Sequence, residues 1–229
     1  MGKIYVTSDI HGCYDKYIEL LKLINFNDED TLYIIGDIID RGTQNVAMLK
    51  DVMSRKNVVM ILGNHEDMMV ESKKPFGYID KRTWYFNGGD VTDAEFNMLS
   101  KGEQIDILNF LSDLPFKLEI EVEGKKYLLV HGSYRSMHLN MFNDDTSRQY
   151  KEDIIWNRIK GYEEGLKDKT VIFGHSITKH YQNCKPYKIW KNKKVNIIGI
   201  DCGMAAYAYG EENGRLACLR LNDMKEFYV

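Results

Sequence analysis

Five short stretches end in side chains that make poor core but good ligand sets. SDIHG offers Asp9 and His11, GDIIDRG offers Asp37, Asp40 and Arg41, GNHE offers Asn64 and His65, VHG offers His131, and FGH offers His175. Each follows an apolar run rich in β-branched residues, the pattern of a buried strand. In an open α/β sheet, side chains just beyond the carboxyl ends of the strands converge on one crevice although they are far apart in sequence. Two aspartates and several imidazoles in one crevice would repel or desolvate one another unless cations sat among them. Mixed oxygen and nitrogen donors suit Mn, Fe or Zn better than Ca, and Ni is also compatible. Two such ions roughly 3.5–4 Å apart would clamp the attacking and leaving oxygens of a phosphoryl transfer and acidify a water between them. The chemistry implied is hydrolysis of a phosphate ester.

Taken singly, the motifs are weak. An Asp-x-His pair at a strand end is commonly a turn, and GNHE alone would serve to open a helix. GDxxDRG fixes five positions, however, and four of the six histidines fall at matching strand ends, so the joint pattern carries the reading. His138 and His180 lie outside the set and read as solvated loop residues. Lys179, Lys185, Lys188, Lys191, Lys193 and Lys194 form a basic run, read as a solvated hairpin rather than a substrate guide. Tyr14 reads as a packing residue, and Met48, Met53, Met60, Met68 and Met69 as core filling.

The elements that must position these residues are set by periodicity. Strands are expected over Lys3 to Asp9, Thr31 to Asp37 and Asn57 to Gly63, alternating with helices over Tyr14 to Ile24, about Asn45 to Ser54, and from His65 onward. This βα repetition predicts a mostly parallel, doubly covered sheet. Pro75 to Asp93 reads as turn-rich and Glu103 to Leu114 as a helix. KLEIEVEGKKYLLVHG reads as a hairpin turning at Gly124. After Gly132 a polar stretch runs to Lys169. TVIFG, KVNIIGID and RLACLRL then supply three strands, and FYV a possible edge strand, so two stacked sheets in one domain are expected.

Composition is compatible with this. The 229 residues are 44% hydrophobic and 28% charged with a net charge of −3, which excludes a disordered or fibrous chain and gives no reason to expect nucleic acid or an anionic membrane as partner. The start MGKIYVTSD has neither a basic region nor an apolar one, and the four cysteines form no CxxC pair, so no leader and a reduced cytoplasm are expected.

SDIHG, GDIIDRG, GNHE, VHG and FGH resemble the motifs of the phosphoprotein phosphatase branch of the calcineurin-like metallophosphoesterases, and they run from Asp9 to His175. WYFNGGDVT (84–92), IIWNR (154–158) and IDCG (200–203) are also similar to small bacterial and bacteriophage lambda serine/threonine protein phosphatases. The resemblance implies an α/β fold of two stacked mixed β-sheets flanked by helices. It implies one domain over 1–229 with a cap-like insertion around 72–115 and a loop region around 133–169. By position it implies that Asp9 and His11 bind one divalent metal, that Asp37 bridges, and that Asn64, His131 and His175 bind a second, with Mn the expected ion. It implies that Arg41 holds phosphate, with Asn64 and Arg158 as further substrate contacts, and that His65, oriented by Asp40, protonates the leaving oxygen. The implied activity is phosphomonoester hydrolysis on a phosphorylated protein or small phosphoester. The alternatives are a dinucleoside tetraphosphatase of the same superfamily and a catalytically silent metal-binding scaffold. Three departures stand out: Ser8 replaces a usual Gly, Leu62 stands where the lambda enzyme has Arg, and no His follows two residues after His175. The last favours this branch over the nuclease branch.

Overall fold

The computed structural model describes residues 2–135, 148–181, 185–192, 194 and 196–229. Period-two alternation with both faces apolar organises it. Strands β1 (Ile4–Thr7), β2 (Thr31–Ile35) and β3 (Val58–Ile61) pair in parallel. Between them run helices α1 (Tyr14–Leu23) and α2 (Asn45–Ser54), and α3 (Asn64–Lys73) follows β3. A second parallel trio is made by β5 (Lys125–Val130), β6 (Thr170–Phe173) and β8 (Ile197–Gly199), bordered by antiparallel β4 (Lys117–Val122) and β7 (Trp190–Asn192). The chain returns through β9 (Ala217–Arg220) and β10 (Lys225–Tyr228), which complete the first sheet. The two orders are β10-β9-β1-β2-β3 and β4-β5-β6-β8-β7.

Neighbouring residues of one strand enter different layers. Val6, Ile35 and Ile61 of the first sheet meet Leu129, Ile172 and Ile198 of the second in one buried cluster. Their neighbours Tyr5, Ile34 and Met60 point the other way and pack with Tyr17 and Leu20 of α1 and Met48 of α2. On the far side Val130, Val171 and Phe173 pack with Tyr150 and Ile154. The result is helix, sheet, sheet, helix, and a one-residue register slip would turn each strand inside out. No helix among the described residues is long and apolar enough to cross a membrane.

Three segments differ from expectation. Pro75 to Asp93 holds helix α4 (Lys81–Phe86) and the start of α5 (Asp90–Asn97) rather than turns alone. The Asp80 carboxylate caps α4 by accepting from the Thr83 N–H at 2.7 Å, a short-range signal that outweighs the surrounding turn formers. With α6 (Lys101–Ser112), these helices pack against α2 and α3. The polar stretch before Lys169 contains α7 (Arg148–Trp156), which buries Tyr150 and Ile154 four positions apart. Trp190–Asn192, within the basic run, forms an edge strand beside β8. His138 and Lys193 lie outside the described residues.

At the exit from β2 the chain turns through Gly36, whose φ is +87°, and a Cβ there would lie 2.6 Å from the Gly63 Cα and 2.7 Å from the His131 Nδ1. Gly36→Ala is therefore expected to cost about 3 kcal/mol, from left-handed strain plus overpacking, read as a lower urea midpoint at unchanged slope. An unchanged midpoint would show that this exit relaxes freely.

Candidate active site

The parallel strands bring their next few residues to one cleft of about 720 Å³, with His131 and Asp40 fully buried rather than lining it. β1 delivers Asp9 and His11, β2 delivers Asp37, Asp40 and Arg41, and β3 delivers Asn64 and His65. β5 delivers His131, β6 delivers His175 and β8 delivers Asp201. Apart from Arg41 and His175, every one is at most 3% exposed. Asp9, His11, Asp37, Asp40, Arg41 and His175 all have φ between 49° and 73°, a left-handed conformation that non-glycine residues adopt at a cost. Such a concentration persists only where the surroundings hold it. Asp9 N–H donates to the Gly36 carbonyl at 3.1 Å, His11 N–H to the Asp37 carbonyl at 3.0 Å, and Arg41 N–H to the Gly88 carbonyl at 3.0 Å.

The imidazoles are oriented by the groups behind them. His11 Nδ1 donates to the Ile39 carbonyl at 3.0 Å, His65 Nδ1 to Asp40 Oδ2 at 2.7 Å, and His131 Nδ1 to the Ile35 carbonyl at 2.8 Å. All three therefore turn Nε2 inward. His175 does the reverse, placing Nε2 3.2 Å from the Trp156 carbonyl and leaving Nδ1 for the cluster. Backing of this kind is what metal-ligating histidines use to fix ring and tautomer. Two groups gather their donor atoms within 4.8 Å, His11 with Asp37 and His65, and Asp37 with His131 and His175. Asp37 belongs to both. The donor set suits divalent metal ions.

Charge explains the protonation states. Burial opposes ionisation of Asp37, yet His131 at 3.2 Å and His65 and His11 at 3.9 Å hold its carboxyl well below the usual carboxylate range. Burial likewise works against a charged His131, but Asp37 overrides it and pushes the ring up to about 10. Its second N–H then reaches Asp37 and the Asn64 Oδ1 at 3.0 Å. His11 and His175 are held well below the usual histidine value by burial, with Arg41 adding to it at His11 and His131 at His175, so both keep a lone pair. Asp9 is pushed well above the carboxylate range by burial and by Asp201. Both of its oxygens accept from the His175 N–H at 3.0 Å, and Oδ2 also takes the Ser8 hydroxyl; it belongs to neither three-donor group.

Asp40 is fully buried and its oxygens are all used: Oδ2 accepts from His65 Nδ1 and from Trp84 Nε1 at 2.8 Å, Oδ1 from the Thr92 hydroxyl at 2.6 Å. The guanidinium of Arg41 spans the cleft, 2.9 Å from His11 Nε2 and 3.0 Å from His65 Nε2. Arg158 donates to the His175 carbonyl and to the Ser176 hydroxyl at the cleft wall. Leu62 is buried with its N–H on the Pro115 carbonyl and is not among the residues lining the cleft.

Four supporting residues carry no ligand signature in the sequence motifs. Glu66, within GNHE, accepts from the N–H groups of Asp37, Ile38 and Gly63 at 2.8 to 3.0 Å, pinning the exits of β2 and β3 together. Burial and Asp37 push it up to about 7. Asp201 comes after the sixth parallel strand and is pushed up to about 6 by burial, with Asp37 adding to the effect. The strand-end rule applied to IDCG would have found it. Trp84 and Thr92, by contrast, reach Asp40 from 44 and 52 positions away, with no local signal.

Comparison with known proteins agrees with this geometry. Residues 2–201 match the family model for calcineurin-like phosphoesterases. The chain is 32% identical over 178 residues to serine/threonine-protein phosphatase 2 of Salmonella typhimurium, covering 76% of this chain and 79% of that one. It is 33% identical over 130 residues to a symmetrical bis(5'-nucleosyl)-tetraphosphatase of Chromobacterium violaceum, covering 56% of this chain but only 42% of that one. Among solved structures, a protein described as a diadenosine tetraphosphatase superposes with a TM-score of 0.66 at 18% identity, covering 100% of this chain and 93% of that one. A Saccharomyces cerevisiae protein serine/threonine phosphatase superposes at 0.63 with 14% identity, covering 100% and 79%. At such identities the likeness concerns the fold. The two stacked sheets, the donor cluster at their shared edge and the family match over most of the sequence together establish that this chain belongs to the calcineurin-like phosphoesterase family, a family of hydrolytic phosphatases.

Proposed function

We propose that the chain is a serine/threonine protein phosphatase. The observation that carries the chemistry is the Asp40–His65–Arg41 constellation: an imidazole oriented by a buried carboxylate, next to a guanidinium, at the edge of a cluster of metal-type donors. A scaffold that only bound metal would have no use for it. The protein-phosphatase reading is supported by the Salmonella relative, which is matched over three quarters of both chains.

Asp9, His11 and Asp37 would hold one divalent cation, and Asp37, Asn64, His131 and His175 a second, with Mn the ion we expect. Bound there, two such cations supply Lewis acidity toward the phosphoryl oxygens and lower the pKa of water. The protein's own groups do the rest. Arg41 offers its planar fork to two phosphate oxygens, with Arg158 as a second clamp. When substrate draws Arg41 away, His65 Nε2 is released to carry a proton. As water attacks phosphorus in line and the P–O bond to the alcohol breaks, that proton passes to the departing alkoxide. Asp40 supports the charged ring, and Trp84 and Thr92 keep Asp40 from turning. Dinucleoside tetraphosphate hydrolysis is the second reading, favoured by the Chromobacterium relative. Side-by-side kcat/KM on a phosphoserine peptide and on diadenosine tetraphosphate decides between them; a preference of tenfold or more for the nucleotide would overturn the first.

Asp37→Asn should lose both bound metal and activity. His65→Asn should retain metal but lose roughly 10²–10⁴ in kcat on a phosphoserine peptide, and clearly less on p-nitrophenyl phosphate, whose good leaving group needs no proton. Metal analysis beside the two assays checks this, and equal losses on both substrates would remove His65 from the acid role. Trp84→Phe removes one of three donors to Asp40, and about a tenfold lower kcat with KM held within twofold is expected from steady-state rates.

A further inference from the structure

A second cavity, of about 910 Å³, adjoins the cleft. Lys160, His180 and Tyr181 line both, so the two spaces are neighbours. Five lysines line the second cavity (Lys160, Lys185, Lys188, Lys191 and Lys194), against one acidic residue, Glu226. Glu226 is already engaged, accepting from Lys191 Nζ at 2.5 Å and from the Tyr228 hydroxyl. Lys188 Nζ lies 3.6 Å from the centre of the Tyr228 ring. Among the described residues the ammonium groups of Lys160 and Lys194 have no carboxylate partner. In a chain of net charge −3, this is a local concentration of positive charge at the mouth of the candidate active site.

The wall behind these lysines is preformed. The Tyr181 ring stacks on Trp190 with centroids 4.5 Å apart, and the Tyr181 hydroxyl donates to the Ile159 carbonyl. Gly161 fits tightly against both rings, since a Cβ there would sit 3.1 Å from Tyr181 and 3.4 Å from Trp190. The Gly161 carbonyl accepts from Asn192 Nδ2 at 3.3 Å, and its N–H donates to Glu163. An aromatic floor rimmed by lysines suits a ligand whose negative charge is spread along a chain.

We infer that this cavity binds acidic residues flanking the phosphorylated side chain, making the enzyme selective for phosphopeptides with an acidic flank. The inference rests on the protein-phosphatase reading above. An extended peptide spaces its residues by about 3.3 Å and so can set successive acidic side chains along a rim of dispersed lysines. On this inference Lys185, Lys188, Lys191 and Lys194 of the basic run, together with Lys160, guide substrate.

The test compares wild type with the double charge reversal Lys185→Glu/Lys194→Glu, using metal-loaded full-length protein. First, an unphosphorylated peptide rich in Asp and Glu is titrated against p-nitrophenyl phosphate hydrolysis. Competitive inhibition of wild type that weakens at least tenfold in the variant supports the inference, independently of whether proteins are substrates. Absence of inhibition in wild type, or equal inhibition in both, overturns it. Second, two phosphoserine peptides of matched sequence, one with an acidic and one with a neutral flank, are compared. The ratio of their kcat/KM values should exceed ten in wild type, arise mainly from KM, and fall to about one in the variant. A ratio near one in wild type, or unaltered in the variant, overturns the inference, as does a larger loss on diadenosine tetraphosphate than on the acidic peptide. Failure of wild type to cleave either phosphopeptide while it cleaves the nucleotide would instead overturn the protein-phosphatase reading, leaving the inhibition assay to decide the cavity.

Discussion

Asp37 is the carboxylate on which the arrangement depends. It is 2% exposed, faces three imidazoles within 3.9 Å, and belongs to both groups of metal-type donors. Removing such a charge from water is costly unless opposite charge compensates it. In the protein alone His131 does so as an imidazolium, with its second N–H turned to Asp37 and Asn64. A proton and a metal ion thus compete for one place, since the nitrogen that carries the proton is the one a cation would need. Metal affinity should therefore be coupled to pH through His131.

Around this carboxylate the site doubles as a joint between the sheets. His131, at the end of a strand of the second sheet, donates to the Ile35 carbonyl in the first, and the His175 N–H donates to Asp9. Glu66 binds the exits of two neighbouring strands through three backbone N–H groups. These contacts are what can hold six residues of the candidate site in left-handed conformations at once. Rigidity of this kind matters for catalysis, because donors already aimed at the reacting group need no reorganisation when charge develops.

The chain is similar to relatives named for different substrates, a protein phosphatase and a tetraphosphatase, so on the proposed function selectivity is to be sought outside the donor cluster. The neighbouring lysine-rich cavity is the place we propose. Its floor is set by packing of Tyr181 on Trp190, an arrangement built from the segment that follows β6 and an edge strand that is only three residues long. Substitutions there can alter charge and shape without disturbing the strands that present the donors.

Much of the site was legible because strand periodicity and ligand type are both local. A run such as TLYIIGD announces a strand, and the residues just after it must lie at the strand's carboxyl end, so Asp37, Asn64, His131 and His175 could be brought to one crevice from sequence alone. Asp201 obeys the same rule at the end of β8 but is easily passed over, because its motif contains a single acidic residue and no histidine. Other features are not local. Trp84 and Thr92 reach Asp40 only because α4 and α5 fold back over α2 and α3, in a segment whose glycines and proline suggested turns. The tautomers of His11, His65 and His131 depend on carbonyls and a carboxylate brought beside them by the fold. Six lysines read in order look like a solvated hairpin; only the packing of β7 and β8 against the loop at Gly161 makes five of the chain's lysines line one cavity. Sequence determined which residues stand at strand ends, because alternation and chain direction dictate it, while tertiary structure decided which groups those residues face, because hydrogen bonds and charge act through space.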